Sequence, residues 1–499
     1  MSMDVTLVIP TIGRKSLAQL LSALQRDAGP RPAEILVVDD RARPGPLPLP
    51  DGVTVQVLHG GGCGPAAARN VGWRAAATRW VCFLDDDVLP CAGWLGALRQ
   101  DLTVAESVRA AGSQGGIEVP RAEASRAPSD DEQRTLRLAG ARWITADMAY
   151  RRDVLVGVGG FDERFPRAYR EDSDLALRIV SAGHRIVDGS RRCSHPVAPA
   201  TWLTSVRVQI GNRDNALMRR KFGRHWRSRS GEGRGRLPGH LATTASAVAG
   251  LAAALWRRRA AAAVSGLLWA GLTAEFTARR FLHGPRTVPE FSRILLSSTM
   301  IPPAAVAHRV VGEWQHRHAR PEPPLAVLLD RDDTLIEDGP YLNDPDGVVP
   351  MPGADRALDR LRRHGLLLAV VTNQSGVARG LITPRQLVAV NAAVNGALGP
   401  FDCWQVCVHG EDDGCRCRKP APGMVLSAAA ELGVPPQRCV MIGDTGGDVT
   451  AALSAGARAV LVPTGRTRPE EIVAARAHPR AAVAPTLAAA VDLVLREAR

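Results

Sequence analysis

A chain of 499 residues exceeds one compact core and, at about 100 to 200 residues per domain, predicts two to four domains. With 45% hydrophobic and 23% charged residues it is neither a disordered acidic tail nor an ordinary multi-span membrane protein. Its formal net charge of +13, mostly arginine, suits phosphate-bearing substrates, anionic lipid or nucleic acid without choosing among them.

The first residues, Met1 to Pro10, lack the basic start and apolar core of a secretory signal and run directly into a strand-like segment, Val5 to Ile9. A helical pattern over Ser16 to Arg26 and a second β-branched run over Ile35 to Val38 complete a β-α-β unit. A third run, Trp80 to Leu84, ends in Asp85, Asp86 and Asp87, which places carboxylates where a parallel strand hands over to its loop. Ligands of open α/β sheets bind at that edge. Asp85 would reach a ribose or a cation and Asp87 the cation, Mg2+ or Mn2+ by the preference of hard ions for oxygen.

Val8-Ile9-Pro10-Thr11, Val37-Val38-Asp39-Asp40, Ala68-Arg69-Asn70-Val71-Gly72 and Phe83-Leu84-Asp85-Asp86-Asp87 follow one another in an order that resembles the family 2 glycosyltransferases. Gly159-Gly160-Phe161-Asp162-Glu163-Arg164-Phe165 and Arg170-Glu171-Asp172-Ser173-Asp174-Leu175 resemble that family's acceptor-side loop and base motif, so the likeness spans about Met3 to Pro196. The resemblance implies inverting transfer from a nucleotide-sugar donor to an acceptor. It also implies that Pro10, Thr11, Asp39 and Arg69 line the nucleotide pocket, that Asp172 is the general base, and that His195 completes the metal shell.

From Arg207 to Arg236 about ten Arg or Lys face two acids, and an Ala-rich stretch follows from Leu241 to Phe276. Two uncharged runs, Leu241 to Trp256 and Ala260 to Ala274, flank Arg257, Arg258 and Arg259, and both fall short of the roughly 20 apolar residues that cross a bilayer. They read as a helical hairpin packed on the preceding domain, as one lying in or dipping into the cytoplasmic leaflet beside its basic flank, or, least expected, as spanning helices. Nucleic-acid binding is not expected of the basic stretch, which lacks aromatic interleaving. Pro321 to Pro324 is the expected linker.

The α/β grammar restarts with strand-like runs at Leu325 to Leu329, Leu366 to Val371 and Cys439 to Ile442. Asp330-Arg331-Asp332-Asp333-Thr334 follows the first run and places one carboxylate for in-line attack on phosphorus and a second, Asp332, for proton transfer. Asp444 follows the third run, so Asp330, the Asp332 carbonyl and Asp444 make a coherent Mg2+ site. Lys419 would offset phosphate charge, and Thr372, Asn373, Gln374 and Ser375 would donate to its oxygens.

This set resembles the haloacid dehalogenase superfamily over about Leu325 to Thr467. Asp338-Gly339-Pro340-Tyr341, Thr372-Asn373-Gln374-Ser375-Gly376 and Arg418-Lys419-Pro420 are similar to the D-glycero-D-manno-heptose 1,7-bisphosphate 7-phosphatases and the histidinol-phosphatases; the resemblance implies hydrolysis of the heptose bisphosphate first, with histidinol phosphate as the alternative, and a binding role for Arg418. Two departures stand out: Asp333 where that family usually has Gly, and Thr445 where the heptose enzymes often have Lys.

Nine cysteines are an odd number, and four fall between Cys403 and Cys417, which fits a reducing compartment and a metal site better than disulfides. Cys407, His409, Cys415 and Cys417 supply one imidazole and three thiolates for tetrahedral structural Zn2+, whose loop leads directly into Arg418 and Lys419.

The expected architecture is α/β, with two doubly wound domains, one nucleotide-diphospho-sugar transferase-like (1–205) and one haloacid dehalogenase-like (321–499), joined by a basic, Ala-rich helical segment (206–320). The expected location is the cytoplasm, with a possible peripheral contact at the inner face of the membrane.

Overall fold

The computed structural model describes residues 3–120, 127–197, 201–317, 319, 323–337, 339 and 341–498. Of the sequence features above, Pro321 and Glu322 of the expected linker and Asp338 and Pro340 of one motif lie outside them. The chain forms two compact units, Met1–Arg317 and His318–Arg499.

The first unit is built on eight strands: β1 (Met3–Thr11), β2 (Pro32–Asp39), β3 (Gln56–His59), β4 (Trp80–Leu84), β5 (Leu89–Pro90), β6 (Gly112–Glu118), β7 (Asp147–Arg151) and β8 (Ile186–Ser194). Their order is β3-β2-β1-β4-β7-β6-β8-β5. β1, β2 and β4 pair in parallel as expected of Val/Ile/Leu runs buried on both faces, β3 adds parallel to β2 as a largely exposed edge strand, and β7 adds antiparallel to β4. The sheet is therefore mixed rather than wholly parallel. Strand β6, Gly-Ser-Gln-Gly-Gly-Ile-Glu, has no β-branched run to announce it; it is held by burial between β7 and β8 rather than by propensity.

The helix Pro65–Ala75 can lie directly on β1 because of Gly72, where a Cβ would stand 2.3 Å from Val8 Cγ1. Its inner face carries Arg69 and Asn70, both buried.

Three long helices follow in the same unit: Leu237–Leu255, Arg259–Phe281 and Val288–Gln315. The first two form the expected hairpin about Arg257 and Arg258, but they outrun the apolar stretches because the second continues through Glu275, Arg279 and Arg280. By length and composition alone, Arg259–Phe281 and Val288–Gln315 are long and apolar enough to cross a membrane. The third helix, carrying Pro302 and Pro303 inside it, went unrecognised in the sequence, where a Pro pair reads as a break.

The second unit holds six parallel strands, β9 (Ala326–Leu329), β10 (Leu367–Asn373), β11 (Cys403–Cys407), β12 (Cys439–Gly443), β13 (Arg458–Leu461) and β14 (Ala481–Val483), in the order β11-β10-β9-β12-β13-β14. The chain leaves β9 toward β10 on one side and returns to β12 on the other. The ends of β9, β10 and β12 therefore sit together at the topological switch point where such sheets bind ligands.

Candidate functional sites

In the first unit one cleft of about 1780 Å³ opens at the carboxyl ends of β1 and β4. Pro10, Thr11, Arg69, Asp85, Asp87, Asp172 and His195, expected as site residues, all line it. Asp39 does not. Its buried carboxylate at the end of β2 accepts 2.8 and 2.7 Å hydrogen bonds from Arg41, which hold it below the usual carboxylate range.

The three aspartates are differently engaged. Asp85 accepts from Arg69 Nη2 at 2.7 Å. Asp86 is buried, accepts from Thr11 Oγ1 at 2.5 Å, and shares Arg14 Nη1 with Asp87 at 2.8 and 2.7 Å. His195 Nε2 stands 3.8 Å from Asp87 Oδ1. Ligand atoms on one divalent ion with bonds near 2.1 Å lie about 3 to 4 Å apart, so Asp87 and His195 fit a shared cation. Arg14 occupies the same carboxylate and is positioned to offset its charge. Arg14 was not foreseen, since a lone arginine in a loop gives no signal by itself.

Asp172 sits at the start of helix Glu171–Ser181, where Ser173 N donates to it at 2.6 Å, and burial raises its pKa. Burial, reinforced by the Asp172 charge, pushes Glu171 up to about 8 despite a 2.9 Å pair with Arg69. Arg170, directly before them, has φ +83°, a conformation that costs a non-glycine residue on the order of 1 kcal/mol and that turns the helix start into the cleft. The loop is fixed from two further sides. Asn70 accepts from Phe161 N at 2.9 Å and donates to Phe161 O at 3.0 Å. Lys221, buried on helix Asn212–Phe222, pairs with both Asp162 and Asp174. Neither was assigned a role from sequence, although Asn70 stood inside a recognised motif.

In the second unit Asp330 follows β9, Thr372 ends in β10 and Asp444 follows β12. Carboxylate oxygens of Asp330, Asp444 and Asp448 lie within 4.8 Å of one another. Lys419 Nζ bridges Asp330 at 2.8 Å and Asp448 at 2.6 Å. Burial opposes the ammonium charge, but those two carboxylates more than offset it and raise its pKa. One lysine against three carboxylates leaves a charge deficit matching a divalent cation, and burial accordingly drives Asp330 well up and Asp444 to about 6. Asp448 belongs to the haloacid dehalogenase-like motif after Gly443-Asp444 but was given no ligand role from sequence, and the structure adds it to this group. It caps helix Gly446–Ser454 through Thr445 N at 3.0 Å and Thr445 Oγ1 at 2.7 Å.

The Asp332 side chain turns away from the carboxylate group, to Arg331 Nε at 2.9 Å and Gln374 Nε2 at 2.7 Å. Gln374 also donates to Thr372 Oγ1 at 2.9 Å, so this amide, expected to donate to phosphate, instead ties the expected proton-transfer group Asp332 to Thr372. Asn373 clamps the main chain of Lys419 through both amide atoms at 3.1 Å. Ser375 is partly buried in the same loop. Asp333 adopts φ +54° and pairs with Arg466 at 3.2 Å.

Cys407, His409, Cys415 and Cys417 converge. Cys417 Sγ lies 3.3 Å from Cys407 Sγ, 3.4 Å from Cys415 Sγ and 3.2 Å from His409 Nδ1, and Cys407 Sγ lies 3.8 Å from Cys415 Sγ. A tetrahedron with metal–sulfur bonds of about 2.3 Å has edges of about 3.8 Å, close to these spacings. Arg418 N donates to Cys415 Sγ at 3.4 Å, which ties the cluster to the residue beside Lys419, while the Arg418 guanidinium reaches Glu411 and the His409 carbonyl.

Comparison with known proteins divides the chain in the same way. Residues 6–155 match glycosyl transferase family 2, and residues 416–490 match the HAD-hydrolase-like family. The D-glycero-β-D-manno-heptose-1,7-bisphosphate 7-phosphatase of Pseudomonas putida is 38% identical over 145 residues, 28% of this chain and 83% of that protein. Its counterpart from Bordetella bronchiseptica is 36% identical over 178 residues, 34% of this chain and 98% of that protein. A crystal structure of D,D-heptose 1,7-bisphosphate phosphatase from B. bronchiseptica with magnesium and phosphate aligns at 33% identity and a TM-score of 0.32, covering 34% of this chain and 98% of that one.

Proposed function

Because the chain belongs to the family 2 glycosyltransferases in its N-terminal part and to the HAD-like phosphatases in its C-terminal part, we propose that it is bifunctional. The first unit transfers a sugar with inversion from a nucleotide-sugar donor, and the second removes the 7-phosphate of D-glycero-β-D-manno-heptose 1,7-bisphosphate.

For the phosphatase, the observation that carries the reading is the convergence of Asp330, Asp444 and Asp448 on a single Lys419. Mg2+ held by Asp330, the Asp332 carbonyl and Asp444 would neutralise phosphate oxygens. Asp330 attacks phosphorus in line, Asp332 protonates the departing sugar oxygen, and Lys419 with Thr372, Asn373 and Ser375 holds the phosphoryl oxygens. Gln374 and Arg331 orient Asp332, and Arg418 binds the remainder of the substrate. Zn2+ on Cys407, His409, Cys415 and Cys417 is structural.

For the transferase, Asp172 removes the acceptor proton, its raised pKa bringing it nearer to working pH. Mg2+ or Mn2+ at Asp87 and His195 would offset the departing nucleoside diphosphate, while Asp85, Thr11 and Pro10 face the nucleotide. We place the protein in the cytoplasm with the long helices against the inner face of the membrane. Leu251, Leu255, Trp256 and Leu267 are strongly exposed beside Arg257, Arg258 and Arg259, a combination suited to an anionic interface. Flotation with anionic but not neutral liposomes is expected.

Phosphate release from the heptose bisphosphate, histidinol phosphate and common sugar bisphosphates, with Mg2+ and after chelation, tests the phosphatase assignment. Preference for the heptose compound and loss on Asp330→Asn are expected. Preference for histidinol phosphate would replace the substrate, and release unaffected by Asp330→Asn would remove the catalytic reading.

A further inference from the structure

The transferase cleft is larger than its donor end requires, and its chemistry changes along its length. Apart from Arg14 and Arg69, its described lining carries twelve arginines, whereas beyond the donor-end acids and Glu171 and Asp172 it carries three carboxylates, Asp130, Asp131 and Glu232.

Pairing does not remove this surplus, because single carboxylates are shared. Glu232 serves both Arg170 and Arg227. Glu275 serves Arg236 and Arg279, and Glu313 serves Arg219 at 3.0 Å and Arg309 at 2.7 Å. Arg134, Arg137 and Arg142 have no carboxylate partner among the described residues. Within that trio Arg134 Nη1 is buried without a hydrogen-bond partner among the described residues. An unmatched guanidinium donor costs free energy unless something outside the protein accepts from it.

The wall is also built from two directions. Arg134 and Arg137 come from the helical turn between β6 and β7, Arg236 directly precedes the first long helix, and Arg279 and Arg309 come from the second and third, which line the same cleft. Planar guanidinium forks contributed to one cleft by separate elements match the oxygens of phosphate groups rather than the hydroxyls of a neutral sugar.

We propose that the part of the cleft beyond Asp172 is the acceptor subsite and that the acceptor carries a phosphate or diphosphate group gripped by this arginine wall. The inference rests on the transferase reading of the first unit. It names the acceptor's charge chemistry; the same group is available on a soluble phosphorylated sugar or on a lipid-linked one.

The test is calorimetric titration of the full chain without added divalent metal, using inorganic diphosphate and farnesyl diphosphate as probes. In Arg134→Ala/Arg137→Ala/Arg142→Ala, binding of at least one probe is expected to weaken tenfold or more, while the corresponding triple Lys variant, which keeps the charges, stays within about threefold of the natural chain. Farnesyl diphosphate binding at least tenfold more tightly than inorganic diphosphate assigns the group to a lipid-linked acceptor, and equal affinities assign it to a soluble one. Affinity for both probes within threefold of the natural chain in the Ala variant overturns the proposal. Titration of UDP and GDP with Mn2+ on the same samples separates the two levels. If neither nucleotide binds the natural chain, the transferase reading falls, whereas nucleotide binding combined with arginine-independent diphosphate binding removes only the phosphorylated acceptor.

Discussion

Arg69 Nη1 donates to Glu171 at 2.9 Å in a pair buried on both sides. The other arm of the same guanidinium reaches Asp85 at 2.7 Å, so one side chain joins the donor-end carboxylates to the residue beside the proposed base. A lysine supplies the charge but not the second arm. Arg69→Lys is therefore expected to lower transferase kcat/KM by at least about tenfold, through both donor KM and kcat. Phosphate release by the second unit should be unchanged and reports folding of the rest of the chain. Equal loss of both activities would show a global defect instead.

The Glu171–Asp172 pair also gives the first unit a pH dependence. Burial and the neighbouring carboxylate raise Glu171 from 4.5 to about 8, so the folded chain retains a proton that the unfolded chain releases. Between about pH 4.5 and pH 8 the unfolded state then binds fewer protons, and stability falls as pH rises. Glu171→Gln removes this contribution while keeping a hydrogen-bonding partner for Arg69. Relative to Glu171→Gln, the natural chain should lose thermal stability progressively from pH 5.5 to 8. Parallel unfolding curves for the two proteins across that range would show that the pair does not retain the proton.

What the sequence revealed follows what each residue has to do. Helix Ser16–Arg26 and strand Trp80–Leu84 were read with their observed ends, because an amphipathic period and a β-branched run are local signals. The carboxylates at strand ends were legible for the same reason, since a parallel strand terminates at its ligand edge. Strand β6 and the helix holding Pro302 and Pro303 were not legible, because packing rather than propensity decides them. Asn70, Arg14 and Lys221 act through partners far away in the chain: Lys221 meets Asp162 across 59 positions, and Arg14 meets Asp86 across 72. No spacing rule discloses such pairs.

Removing the proposed Zn2+ should act on Lys419 indirectly. The chain runs from Cys415 and Cys417 through Arg418 to Lys419, whose main chain is held by Asn373. Cys417→Ser is expected to lose about one Zn2+ per chain by elemental analysis. It should also lower phosphatase kcat by about 10 to 100-fold, the scale seen when support around a site is lost, and lower the unfolding temperature of the second unit. Added Mg2+ should not restore activity. A chain that contains no Zn2+ when purified yet is fully active would refute the structural role.

Asp333 adds a third acidic side chain to the loop after β9, and its φ of +54° is the conformation glycine adopts freely. Asp tolerates this region better than most residues, and its pairing with the largely exposed Arg466 adds little in water. Its charge is nevertheless felt at the site, where it contributes to raising Asp444. A negative charge there favours a divalent cation and opposes a phosphate, so the two affinities should move in opposite directions when it is removed. Asp333→Asn and Asp333→Gly are both expected to lower KM for the sugar phosphate severalfold and to raise the Mg2+ concentration giving half-maximal rate. Only the Gly variant also relieves the backbone, by about 1 kcal/mol less the extra freedom of its unfolded chain. Its unfolding temperature should thus equal or slightly exceed that of the Asn variant. An unchanged KM in the Asn variant would mean that the third acidic side chain of the loop does not repel the substrate.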